Sequence, residues 1–289
     1  MKSISILIPT YNDDCSALVT DLHRQASSLD ISYEIIVADD GSTDAAVVAV
    51  NRKACQLSAC RLILGGENRG RAMIRNLLAS EARYPWLLFI DGDLSVSRDD
   101  FLFRYASTDD DCDVVDGGIE IGECLAGNLR SIYEKAAESQ HTVAKRSLQP
   151  YHDFHTANFL IRRQLMLDHP FDDRFRHYGY EDVIFGKQLQ QSGITIHHID
   201  NPILFDRFES NASFVEKTEE ALQTLYRFRS ELQGYSRMLT LVSRISPVAP
   251  IVRLFHRLCG RWERRHLKGN HPTLFIFRLY RLGYYLCLK

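Results

Sequence analysis

The chain has 289 residues, 45% apolar and 25% charged, with 16 glycines and 8 prolines. That is the balance of a folded, enzyme-sized protein and excludes disordered, collagen-like and coiled-coil chains. The net charge of −2 hides an asymmetry: from Ser246 to Lys289 seven Arg and two Lys stand against Glu263 alone, so this tail carries +8 and the remaining body −10. Seven cysteines without a CxxC pair read as reduced thiols rather than a zinc or disulfide framework. The apolar stretch before Pro9 is too brief for a signal-peptide core, and no run approaches the ~18 apolar residues of a membrane span. The expectation is a cytoplasmic protein.

Four short apolar runs, Ser5 to Pro9, Glu34 to Ala38, Arg61 to Leu64 and Trp86 to Ile90, read as buried parallel strands. Helix-length segments lie between them: Ser16 to Ser28, Thr43 to Gln56 and Arg71 to Ala82. The alternation predicts a doubly wound, mostly parallel α/β sheet up to about Ser95. Ligands bind such sheets at the carboxyl ends of the strands, and those ends here carry Thr10-Tyr11-Asn12, Asp39-Asp40-Gly41-Ser42 and Asp91-Gly92-Asp93. Beyond Ser95 the pattern becomes α+β. A strand is expected over Asp113 to Ile121, helices over Asn128 to Lys145 and Asp182 to Gln191, a strand over Ile194 to Ile199, and a helix over Ala212 to Arg229. Pro247 and Pro250 mark a boundary before the basic tail.

Three of these segments carry chemistry. Asp91-Gly92-Asp93 ends a buried strand, so one carboxylate can reach a ribose while the other holds a hard divalent cation. The bland alternative is an ordinary strand-ending turn. Asp39 and Asp40 end another strand, with Ser42 or Thr43 as helix N-cap, and a carboxylate there can accept a hydrogen bond from a nucleobase imide. Asn68, Gly70, Arg75 and Asn76 open the next helix but form no GxGxxG, which argues against a dinucleotide. Glu181-Asp182 reads either as an acidic helix N-terminus or as a general base. Asp109, Asp110, Asp111 and Asp113 lack the pattern of a calcium loop and read as a solvated loop.

Taken in order, SILIPTYND, IVADDGSTD, ENRGRAMIRN, FIDGD, NFLIRR and FDDRFRHYGYEDVIFGKQLQQSG resemble the motifs of family 2 glycosyltransferases of the GT-A fold, over roughly Ile4 to Gly193. The resemblance implies inverting transfer from a nucleotide sugar, usually UDP-linked, to an acceptor hydroxyl with Mn²⁺ or Mg²⁺. By matching positions Pro9, Thr10 and Tyr11 line the nucleoside, with Asp39, Asn68 and Gly70 in the same binding set. Asp40 faces the uracil, Arg75 contacts the nucleotide, Asp91 meets ribose or metal, and Asp93 binds metal. Asp182 is the base, oriented by Glu181. Where many members carry a metal-binding histidine, NPILFDRF offers Asp206, with His197 or His198 as substitutes. Residues 1–95 would then form a nucleotide-sugar-binding half, 96–245 an acceptor half of the same domain, and 246–289 a basic helical tail.

Within the tail Ile251, Leu254, Phe255, Leu258 and Trp262 fall at helical spacing among arginines. The interleaved aromatics favour an anionic membrane surface over nucleic acid as partner, on the inner face of the membrane, where a lipid-linked or glycan acceptor would be met. The opposing reading packs this stripe onto the domain. Other functions that fit the composition are a nucleotidyltransferase, whose glycine- and lysine-rich loop is missing, and a catalytically silent nucleotide-sugar- or lipid-binding module.

Overall fold

The computed structural model describes residues 1, 3–109 and 111–288, so Asp110 of the acidic loop lies outside the described residues. The first half runs β1 (Ser3–Thr10), α1 (Ser16–Ser27), β2 (Ser32–Asp39), α2 (Ala45–Ala54), β3 (Cys60–Leu64), α3 (Arg71–Glu81) and β4 (Trp86–Ile90). The next stretch contributes α4 (Phe101–Ala106), β5 (Val114–Asp116), β6 (Ile119–Ile121), α5 (Leu129–Ala137), α6 (Val143–Leu148), β7 (Asn158–Arg162) and α7 (Arg163–Asp168). The chain then forms α8 (Glu181–Gln191), β8 (Ile196–His198), β9 (Ile203–Phe205), α9 (Asn211–Arg227), α10 (Arg237–Arg244), α11 (Ala249–Leu267) and α12 (Leu274–Cys287).

Seven strands form one sheet in the order β3-β2-β1-β4-β7-β5-β8, parallel except where β7 runs against β4 and β5. The apolar runs fill both faces. Ile4, Ile6, Ile8, Ile35, Val37, Trp86, Leu88 and Ile90 point into one core, while Leu7, Ile36, Ala38, Leu87 and Phe89 point into the other. A strand's period of two divides each run between helices on opposite sides of the sheet, which is why continuous apolarity was required. β3, at the sheet edge, is only partly buried. This is the doubly wound, mostly parallel α/β architecture expected from the sequence, with a GT-A-type arrangement.

Four local expectations are corrected. The N-cap of α2 is Asp44, whose carboxylate accepts from the amides of Ala46 and Val47. Ser42 and Thr43 are taken up by Asn12, whose backbone N–H donates to Ser42 Oγ at 2.7 Å and whose side-chain Oδ1 accepts the Thr43 backbone N–H at 2.9 Å. The segment from 113 to 121 is two strands, because the chain turns at Gly117-Gly118 and β6 leaves the main sheet to pair with β9. The helix expected over 128–145 stops at Ala137 and resumes as α6, which turns the buried Arg146 inward onto Asp116 at 3.0 Å. The C-terminal segment is three helices, of which α11 and α12 pack on α9. Phe277 and Tyr280 join Phe214 and Val215 in one cluster, and Tyr285 joins Leu222 and Leu225 in another.

Candidate functional site

β1, β2 and β4 end side by side, and the end of β1 with the residues just past β2 and β4 opens on a cleft of about 280 Å³. Pro9, Thr10 and Tyr11 form one wall, Asp40 and Asn68 with Gly70 another, and Asp91 with Asp93 the floor. Asp40 is buried, and its two oxygens accept the backbone amides of Arg69 and Gly70 at 3.0 and 2.9 Å. It therefore ties the loop before α3 to the end of β2. Gly70 has φ +93°, and a Cβ there would collide with the Arg176 carbonyl, so only glycine lets the two segments meet. Asp39 is not on the cleft wall. It accepts the Ser42 amide at 2.7 Å and shapes the turn beneath.

A second cavity of about 170 Å³ is lined by Arg130, His155, Glu181 and Asp182, and shares Arg71, Asp91, Asp93, Tyr178 and Lys217 with the first. The two spaces meet at the Asp91-Gly92-Asp93 turn. Glu181 and Asp182 are aimed there by the turn before α8, where Gly179 (φ +98°) and Tyr180 (φ +68°) both take the left-handed conformation.

The carboxylates sit in unequal surroundings. Burial pushes Glu181 above the usual range, against the pull of Arg71 at 3.5 Å. Burial also works on Asp182, but contact with the His155 imidazole at 3.9 Å and the Val183 amide at 2.7 Å outweighs it and holds Asp182 below the usual range. His155 is raised in turn: burial opposes its charge, and Asp182 more than restores it. Asp182 is thus the more acidic member of the pair.

Asp91 accepts from Arg75 at 2.6 Å and from Arg71 at 3.5 Å. Arg75 is 1% exposed, so its guanidinium stands behind Asp91 rather than on an open wall. Burial and then the charge of Asp91 raise Asp93, while burial and then Asp93 push Asp13 up to about 6. Asp91 repels Asp93, and Asp93 repels Asp13, despite the nearby Arg71 and Lys217, and hard oxygen donors gathered in this way suit Mn²⁺ or Mg²⁺. Among the described residues no three acidic, histidine or cysteine side chains are grouped to hold a metal by themselves. A cation on Asp91 and Asp93 would complete its shell with diphosphate oxygens and water, as small divalent ions commonly do.

Asp206 is not brought to this turn. It is exposed, with its nearest polar contact to Ser95 Oγ at 3.5 Å. Its neighbour Arg207 arrives instead, donating to the carbonyls of Gly92 at 3.1 Å, Asp93 at 3.2 Å and Asp14 at 2.7 Å. The other substitutes are also remote: His197 is exposed, and His198 is buried against Asp116 at 2.9 Å. Asp13, Arg71, His155 and Lys217 were not singled out from the sequence. Arg71 lies inside ENRGRAMIRN and Asp13 inside SILIPTYND, so both stood in motifs already noted. Lys217 sits in EKTEE, which looks like any solvated helical face, and His155 precedes β7 in an unpatterned loop.

The family model described as glycosyl transferase family 2 matches residues 5–169. Two uncharacterized glycosyltransferases of Haemophilus influenzae align, one at 28% identity over 102 residues and one at 34% over 92. These alignments cover 34% and 31% of this chain and 39% and 29% of the relatives, so well under half of either relative is matched. Among solved structures, the mannosyltransferase PcManGT of Pyrobaculum calidifontis, in complex with GDP-Man and Mn²⁺, superposes with a TM-score of 0.58 at 14% identity, covering 98% of this chain and 84% of that one. S. aureus TarS 1-349 with UDP-GlcNAc gives 0.52 at 18%, covering 99% and 90%. Identities this low establish the fold. The family match spans more than half of the sequence, and its motifs converge on one cleft at the strand ends: the chain belongs to glycosyl transferase family 2.

Proposed function

We propose that this protein transfers a glycosyl group from a nucleotide-diphosphate sugar, UDP-linked, to the hydroxyl of a glycan or lipid-linked acceptor, with inversion, in the synthesis of a surface glycan. The observation that carries this reading is the placement of Asp182, at the head of α8, in a cavity that shares Arg71, Asp91, Asp93, Tyr178 and Lys217 with the cleft at the strand ends. Glu181 is driven toward its neutral form and Asp182 toward its ionised form, and carboxylates whose surroundings separate their proton affinities mark acid and base roles. The solved neighbours bound to GDP-Man and to UDP-GlcNAc support a sugar nucleotide as donor.

Pro9, Thr10 and Tyr11 flank the nucleoside, and Asp40 with the loop it holds closes around the base. Arg71 and Lys217, common to both cavities, face the diphosphate charge. Asp182 accepts the proton of the acceptor hydroxyl as its oxygen bonds to the anomeric carbon. The bond from that carbon to the phosphate oxygen breaks on the opposite face and the nucleoside diphosphate leaves, which inverts the centre. His155 keeps Asp182 ionised, and Glu181 anchors the turn through Arg71. A divalent cation held by Asp93 and Asp91 would neutralise charge developing on the departing diphosphate.

Asp182→Asn preserves size and should leave donor affinity intact while turnover falls about 10²- to 10⁴-fold, the loss expected for a positioned base. Glu181→Gln should cost less. Release of UDP in the presence of acceptor, with calorimetric donor binding for both variants, tests this. Wild-type turnover in Asp182→Asn would remove the base assignment, and parallel loss of donor binding would make Asp182 structural. Donor binding by the wild type without acceptor-dependent UDP release would favour a silent binding module.

A further inference from the structure

α11 is turned outward. Its domain-facing side carries Ala249, Glu263 and Leu267, all buried, with His256 reaching Glu263 at 2.9 Å. α12 crosses beside His256 at Gly283, where a Cβ would lie 2.6 Å from the imidazole. The opposite side carries Ile251, Leu254, Phe255, Leu258 and Trp262, each between 41% and 76% exposed. At intervals of three, four, seven and eleven residues these form one straight apolar stripe about 16 Å long. An amphipathic helix resting on a domain hides such a stripe, and here the domain contacts are made by the other face.

Basic residues edge this stripe. Arg257, Arg261 and Arg265 follow at four-residue steps and are exposed, and among the described residues none of them makes an ion pair. The inner cations differ: Arg264 pairs with Glu219 at 2.7 Å and Lys268 with Glu216 at 2.6 Å, both carboxylates of α9. The only acidic residue of α11, Glu263, is buried. The outward surface is therefore apolar and positive with no carboxylate of its own. A second copy would bring a like-charged row, whereas an anionic lipid interface supplies both an apolar layer and negative headgroups. No single helix among the described residues is long and apolar enough to cross a membrane, and α10 with the segment from Ser246 to Leu267 passes that test only as a pair bent by 68°.

We propose that α11 docks in the plane of an anionic membrane surface, its stripe from Ile251 to Trp262 sunk among the headgroups and Arg257, Arg261 and Arg265 on the lipid phosphates. This stands independently of the reading of the cleft. The test uses the full chain with vesicles of equal parts phosphatidylglycerol and phosphatidylcholine, against phosphatidylcholine alone. The protein has two tryptophans, and Trp86 is buried at 4% exposure, so a blue shift on vesicle binding reports Trp262. The expected results are a blue shift and co-sedimentation with anionic vesicles only, weakening with salt. Arg257→Gln, Arg261→Gln and Arg265→Gln together should reduce binding about a hundredfold at low salt. Leu258→Glu with Trp262→Glu should abolish it with an unchanged melting temperature, since both side chains are already in solvent. Equal binding to neutral vesicles, no binding by the wild type, or undiminished binding by the Leu258→Glu, Trp262→Glu variant would overturn the proposal. So would resistance of the bound protein to alkaline extraction, which indicates a span, or concentration-dependent dimerisation lost in that variant without any lipid binding, which indicates a second copy.

Discussion

Arg71 and Arg75 stand one helical turn apart on α3 and have different tasks. Arg75 lies fully buried at 2.6 Å from Asp91 with Phe171 beneath it, whereas the Arg71 side chain is 44% exposed and borders both cavities. The resemblance pointed to Arg75 as the nucleotide contact; both arginines line the cleft, and Arg71 presents much the more open side chain. Spacing locates the helix but cannot say which arginine is spent on a buried carboxylate. The same distinction separates the two acids of the strand-end turn. Asp91 is held by guanidinium groups, while at Asp93 burial and the charge of Asp91 outweigh the pull of Arg71 and Lys217 and raise it. Asp93→Ala should therefore relieve unfavourable charge in the free protein and yet weaken UDP-sugar binding in Mn²⁺ by roughly tenfold or more, with little change in EDTA. Calorimetry in the two buffers checks this, and equal affinity of mutant and wild type in Mn²⁺ would take Asp93 out of the cation's shell.

The interrupted helical segment from α5 to α6 links the site to stability. His141 lies in the break, with its Nδ1 at 3.3 Å from Nε2 of His155, which in turn contacts Asp182. Burial and then the charge of His155 push His141 down to about 4, so the folded protein keeps it neutral where the unfolded chain, near 6.5, binds a proton. At His141 the unfolded state thus holds more protons between these values. The contribution of this one group to stability rises with pH across the window and is lost as pH falls from about 6.5 toward 4, against the opposite contribution of Asp13, which burial raises to about 6. His141 is partly exposed, so solvent screening reduces the effect to roughly 1 kcal/mol. His141→Asn should flatten the melting temperature over this range, as followed by thermal denaturation at a series of pH values. An unchanged slope would assign the acid lability elsewhere. The sequence could not reveal this arrangement, because His141 and His155 lie on either side of α6 and meet only when the chain folds back into β7.

For the whole molecule, the C-terminal segment decides how the body is built. Its composition sets it apart as a basic tail beyond a boundary at Pro247 and Pro250. In the structure α12 closes two apolar clusters over α9, with Phe277 1% and Tyr280 3% exposed. Removing residues 246–289 should uncover Phe214, Leu222 and Leu225 and abolish the cooperative melting transition. Phe277→Ala alone should cost about 3 to 5 kcal/mol, the range for emptying a buried aromatic site. Scanning calorimetry of both proteins checks this. A truncated chain that melts cooperatively near the wild-type temperature would show that α12 only decorates the domain.

What the sequence determined by itself was the sheet and the chemistry at its carboxyl edge. Continuous apolar runs of strand length at β1, β2 and β4 read as strands buried on both faces and put Asp40, Asp91 and Asp93 at their carboxyl ends, while the roles of these carboxylates and of Glu181 and Asp182 came from the resemblance to the family 2 motifs. Local periodicity and turn chemistry are enough for the placement, because each depends on residues a few positions apart. The partners from distant segments were decided by the tertiary structure alone. Lys217 of α9 reaches the floor of the cleft, Arg207 replaces Asp206 beside the Asp91-Gly92-Asp93 turn, and His155 tunes Asp182. It also decided the orientation of the tail helices: α12 turns Phe277, Tyr280 and Tyr285 inward and leaves Phe275 in solvent, whereas α11 turns Phe255 and Trp262 outward, although both stretches read as aromatic and basic. The physical reason is that burial and pairing are properties of the folded packing: α9 meets α12 through Phe214 and Val215 and α11 through Glu216 and Glu219, and these contacts cover one face of each helix.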